Sequence, residues 1–110
     1  MSLENENIMI GWTTFPDKES CTEMVKLLVT RKIIGCGQID GPIESCYMWE
    51  GSLCIEKEWR LVVKYPKNKR KEIETIIRKT HPYELPQWLT IEVECSKEYK
   101  EWVRGILPNR

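Results

Sequence analysis

Apolar positions alternate near the start of the chain, with Ile8, Ile10 and Trp12 on one side and Met9, Gly11 and Thr13 on the other. A period of two predicts a strand over residues 7–15. "PDKES" turns the chain, and the period then changes. Cys21, Met24, Val25, Leu28 and Val29 recur at helical spacing, the stripe of an amphipathic helix. Ser20 and Glu23 have capping-box spacing, Asp17 sets negative charge at the positive helix end, and Gly35 closes the segment.

"CGQIDGPIESCYMW" (36–49) reads as two strand pieces separated at Asp40-Gly41-Pro42, because proline gives a ladder no donor and favours a bulge or kink. Glu50-Gly51 is a turn dipeptide, and "LCIEKEWRLVVKY" (53–65) pairs back as the second arm of a hairpin. Ile73, Ile76, Ile77 and Thr80 repeat the helical stripe. Pro82 disfavours helical backbone at His81, so this helix stops by Thr80. In "WLTIEVEC" (88–95), Leu89, Ile91, Val93 and Cys95 face inward against Thr90, Glu92 and Glu94. A short last helix follows Ser96 as N-cap, with Tyr99, Trp102, Val103 and Ile106 on one face.

The order βαββαβ plus a C-terminal helix predicts an α+β fold, a ferredoxin-like sandwich with helices on one face of an antiparallel sheet. The other sheet face is left bare. Five tryptophans in 110 residues exceed what so small a core encloses, which predicts an oligomer.

Length sets one domain, expected over residues 8–110 after a polar, disordered tail at residues 1–7. Seventeen basic and seventeen acidic residues cancel, which speaks against a dedicated nucleic-acid or membrane-surface partner. No export signal or membrane-length apolar run is present. Five cysteines, with no C-x-x-C pair, point to free thiols in a reducing cytoplasm.

The single histidine lies in "KTHPYELPQWL" (79–89). Two prolines stiffen the backbone around His81, and Glu84 is placed to orient the ring. Such a residue is either structural, bonded to a carbonyl, or a binding group held at fixed geometry. With the cysteines it offers soft ligands suited to copper or zinc, although no ligand spacing marks a preformed site. A Cys-His nucleophilic pair has no supporting context. The basic run "KYPKNKRK" (64–71) reads as a solvated loop entering a helix. Tyr47, Trp49 and Glu58 fall on the hairpin, where sheet packing and a solvated face account for them.

Five segments in order, "TTFPDKES", "IIGCGQI", "SCYMWEG", "EWRLVVK" and above all "HPYELP", resemble the CutA divalent-cation-tolerance family from about Ile8 to Trp102. The resemblance implies a homotrimer of ferredoxin-like protomers with clefts between subunits. It implies that Cys36, Gln38, Tyr47, Trp49, Glu58, Lys64, His81, Tyr83 and Glu84 line those clefts. It also implies binding of copper or another divalent cation, with Cys36 and His81 as ligands, and no enzymatic activity or organic cofactor. The alternative is a regulatory trimer, by analogy with PII-type signalling trimers, in which Lys64, Glu58 and Tyr83 hold an anion or an amine.

Overall fold

Period-two and period-3.6 stretches become strands and helices in the expected order. The computed structural model describes residues 7–110: β1 (Ile8–Phe15), α1 (Lys18–Thr30), β2 (Cys36–Trp49), β3 (Ser52–Pro66), a 3₁₀ turn, α2 (Arg70–Thr80), β4 (Leu89–Val93) and α3 (Lys97–Val103). Residues 1–6 of the expected tail lie outside the described residues. Asn7 is held in place, its carbonyl accepting from the Lys67 N–H at 3.0 Å and its side-chain amide donating to Glu92.

The sheet is antiparallel in the order β2-β3-β1-β4, the ferredoxin-like arrangement. Register pairs Met9 with Tyr65, Gly11 with Val63 and Thr13 with Leu61, so these residues share one face. That face builds the core with Cys21, Met24 and Leu28 of α1 and Ile73 and Ile77 of α2. Gly11 is required where it stands. A Cβ there would lie 2.5 Å from Cη2 of Trp88, whose ring crosses β1 at this point.

Local chemistry shifts several boundaries. Asp17, not Ser20, caps α1, its carboxylate accepting from the Ser20 N–H at 2.7 Å. The helix ends at Thr30, with Lys32 rather than Gly35 taking the left-handed turn (φ 59°), and Val29 of the expected stripe is exposed. Ser96 caps α3 as expected, yet the helix stops at Val103 and Ile106 is exposed beyond it.

The hairpin is one continuous pair of strands, not two pieces. The register shifts between Asp40 and Ile43, where the Gly41–Pro42 bond is cis; the bulge absorbs the proline without ending the strand. Trp49 pairs with Ser52 across Glu50 (φ 49°) and Gly51 (φ 80°), as a two-residue type I′ turn demands. Pairing to β1 stops at Phe15–Trp59, so residues 43–49 and 52–58 pair only with each other. That arm extends the sheet by roughly 23 Å at strand rise.

Strand β4 alternates as predicted, but its apolar side does not face the helices. Leu89 is 57% and Ile91 51% exposed, because their register partners on β1, Trp12 and Ile10, lie on the face away from the helical core. The bare apolar sheet face is real in this protomer.

Candidate functional site

Pro82 bars helical backbone at His81, which turns extended (φ −68°, ψ 138°) and caps α2 through its N–H to the Ile77 carbonyl at 3.1 Å. The ring then stacks on Phe15, with centroids 4.4 Å apart and planes 20° from parallel. The Tyr83 N–H donates to Nδ1 at 3.1 Å, which places the neutral ring's proton on Nε2, 3.0 Å from Thr13 Oγ1. Burial lowers the His81 pKa, opposed by a hydrogen bond with the Thr14 backbone and by Glu58. Both ring nitrogens are engaged within the protomer. His81 is thus held as a neutral brace between β1 and the elbow that follows α2.

The elbow carries Tyr83 back to the sheet. Its hydroxyl donates to Glu58 Oε2 at 2.7 Å, and Glu58 is only 7% exposed. Burial first, and the bond to Glu58 second, raise the Tyr83 phenol above its ordinary range, so it remains a donor. Glu58 sits opposite Ile43, just past the bulge where β1 runs out. There the hairpin arm and the elbow enclose a cleft of about 720 Å³. Tyr47, Trp49, Cys54 and Glu56 line it from the hairpin; Glu84, Leu85 and Pro86 line it from the elbow. A hydrogen bond with Glu56 raises the Tyr47 phenol to about 12. A smaller depression of about 490 Å³ beside Glu92 and Cys95 is a weaker candidate, since Lys67 already neutralises Glu92 at 2.8 Å.

Of the expected residues, Tyr47, Trp49, Glu58, Tyr83 and Glu84 therefore line one cleft, with His81 behind it. Cys36, Gln38 and Lys64 do not join them. Cys36 pairs with Lys64 at the other end of β3, and the Lys64 ammonium donates to Gln38 Oε1. Cys36 is in register with Ile10, on the face opposite Thr13 and two strands away. Standard spacings put it on the order of 14 Å from the His81 contact. Cys36 and His81 do not meet within one protomer. Cys54, a soft ligand candidate from its place after the hairpin turn, also lines the cleft, whereas Thr13 beside His81 and Glu56 in the cleft are neighbours that sequence reasoning did not single out. Thr13 had a signal: a polar residue among the inward positions of an otherwise apolar strand face.

Residues 9–105 match the family described as CutA1 divalent ion tolerance protein. The chain belongs to the CutA divalent-cation tolerance family. It is 35% identical over 98 residues to the divalent-cation tolerance protein CutA of Thermotoga maritima, covering 88% of this chain and 96% of that protein. Its fold matches the crystal structure of CutA1 from Ehrlichia chaffeensis with a TM-score of 0.87 and 27% identity, covering 91% and 94% of the two chains. It likewise matches the PII-like protein CutA from Nostoc sp. PCC 7120 in apo form, with a TM-score of 0.82 and 33% identity over 89% and 95%. Among the described residues, no helix of this CutA-family chain is long and apolar enough to cross a membrane.

Proposed function

We propose that this CutA-family protein is a cytoplasmic homotrimer that acts in divalent-cation tolerance as a regulatory binding protein, not a catalyst. A small molecule taken up in the cleft between hairpin and elbow is its signal. The observation that carries this reading is the Glu58–Tyr83 pair at the cleft base, a buried carboxylate held in position at 2.7 Å by a donor on a proline-stiffened elbow. The space beside it exceeds what a bare ion needs. The PII-like description of the Nostoc neighbour supports the same reading.

Trimer formation rests on apolar surface. Leu89 and Ile91 on the open sheet face, and Met48, Leu53 and Ile55 on the hairpin, are all exposed in the protomer, a combination that calls for self-association. Light scattering tests it, and a monomeric mass would remove it. The copper reading survives in one form only, with Cys36 of one subunit facing His81 of another. His81 would first have to release Thr13 or the Tyr83 N–H.

Two titrations decide between the readings. A thermal-shift screen of metabolites should find a ligand that raises Tm in wild type and not in Glu58→Gln. An anaerobic Cu(I) competition titration runs beside it. Tight binding of about one ion per protomer, lost in Cys36→Ser/His81→Ala, would transfer the function to metal.

A further inference from the structure

The cleft's charge is one-sided, and this narrows what it accepts. Three carboxylates line it, Glu56, Glu58 and Glu84, and neither lysine nor arginine does. Glu58 is the decisive one. It is 7% exposed, its Oε2 accepts from Tyr83, and among the described residues no lysine or arginine forms an ion pair with it. His81 supplies no compensating charge, because burial keeps its ring neutral. Lys64, which would have suited an anion, is turned to Gln38 on another part of the sheet. Buried carboxylates are ordinarily paired with a cation. Here the cation is missing from the protomer, and the place for it opens into a cavity.

The walls say what kind of cation. Tyr47, Trp49 and Tyr83 bring three aromatic rings to the same cleft, together with Leu85 and Pro86. Aromatic faces attract ammonium groups and pack against the carbon attached to them. A metal ion would need several convergent donors, and among the described residues no three His, Cys, Asp or Glu side chains, the glutamates of this cleft included, converge closely enough to hold one. We propose that the cleft is a receptor for a small organic ammonium ion, with the charged nitrogen on Glu58 and the carbon skeleton against Tyr47, Trp49 and Tyr83. The inference rests on the cleft being the ligand site and adds the chemical class of the ligand.

Phenethylamine, 2-phenylethanol and phenylacetate share one skeleton and differ in charge, so they read the cleft directly. Each is titrated into the reduced, assembled protein at neutral pH, followed by indole Nε1–H shifts of Trp49 and by calorimetry, with Zn²⁺ as a further arm. The amine should bind at least about tenfold more tightly than the alcohol, as a charge-assisted hydrogen bond to a buried carboxylate implies. The carboxylate should not bind. Glu58→Gln should erase the preference for the amine while the alcohol still binds, which also shows that the variant is folded. Tyr83→Phe, which keeps the carboxylate, should retain the preference. Equal or tighter binding of the alcohol or carboxylate overturns the ammonium assignment and leaves the small-molecule cleft standing. A Zn²⁺ response at Glu58 that excludes the amine also overturns it, and transfers the cleft to metal. Binding of none of the probes, with Trp49 unmoved, removes the cleft reading and this inference together; a partner subunit's own cation would give that result.

Discussion

Replacing Gly11 by alanine is a one-carbon probe of how the elbow is anchored. The added Cβ would stand 2.5, 2.9 and 3.1 Å from Cη2, Cζ3 and Cζ2 of Trp88. All three atoms belong to the six-membered ring, which cannot swing clear as a flexible chain end could. Trp88 also stacks near Tyr65, with centroids 6.3 Å apart; Tyr65 is in the core and Trp88 packs against it. Overpacking of this kind costs about 1–3 kcal/mol. Alanine recovers about 0.4–1 kcal/mol by restricting the unfolded chain. The net loss runs from about zero to about 2.6 kcal/mol, and each kcal/mol lowers Tm by roughly 4–8 °C in a domain of this size. Urea melts at fixed protein concentration measure it, since self-association would otherwise move the midpoint. The decisive control is a double-mutant cycle with Trp88→Phe, which shortens the ring away from the new methyl. Coupling of about 1 kcal/mol or more is expected. Additivity of the two changes within about 0.5 kcal/mol would refute the close approach.

The cap of α1 separates two residues three apart: Asp17→Ala should cost about 1 kcal/mol and Ser20→Ala less than about 0.5 kcal/mol, and the reverse order in urea melts would move the cap back to Ser20. Tyr83→Phe leaves the buried Glu58 carboxylate without its donor and should destabilise by about 1–3 kcal/mol; an unchanged melt would mean that the bond at 2.7 Å contributes nothing. His81 has a folded pKa below its ordinary 6.5, so the unfolded state binds more protons as pH falls. Its stabilisation is complete above about pH 6.5 and drains away as pH drops through the folded value. Melts between pH 7.5 and 5.5 should show this slope in wild type and a flatter one in His81→Asn; equal slopes would refute it.

Most of the fold was legible because it depends on periodicity and a few local rules. Ile73 and Ile77 announced α2, and Pro82 ended it at Thr80 as the steric rule requires. Alternation in β4 was equally plain, but alternation reveals two faces and not which one a neighbour covers. Leu89 and Ile91 read as inward, and only their register with Trp12 and Ile10 shows that they belong to the uncovered face. The proline in β2 was half legible. The bulge expected at Asp40-Gly41-Pro42 is there, but it does not divide the strand, and pairing continues past a cis bond to Trp49.

The site was legible only where its residues lie on one local feature. His81, Tyr83 and Glu84 come from six consecutive residues whose prolines fix them, and that stiffness could be read directly. The grouping of the rest depended on how far each strand runs. Glu58 lies beside the cleft because β1 ends at Phe15 while β3 continues, leaving the hairpin arm unpaired where the elbow returns. Cys36 is seven residues from Ile43, the hairpin partner of Glu58, and Lys64 is six residues from Glu58 itself, yet strand rise carries both to the far end of the sheet. Separating Lys64 from Glu58 removes the positive charge from the cleft. The sequence left anion and amine equally open; the register of β2 on β3 favours the amine.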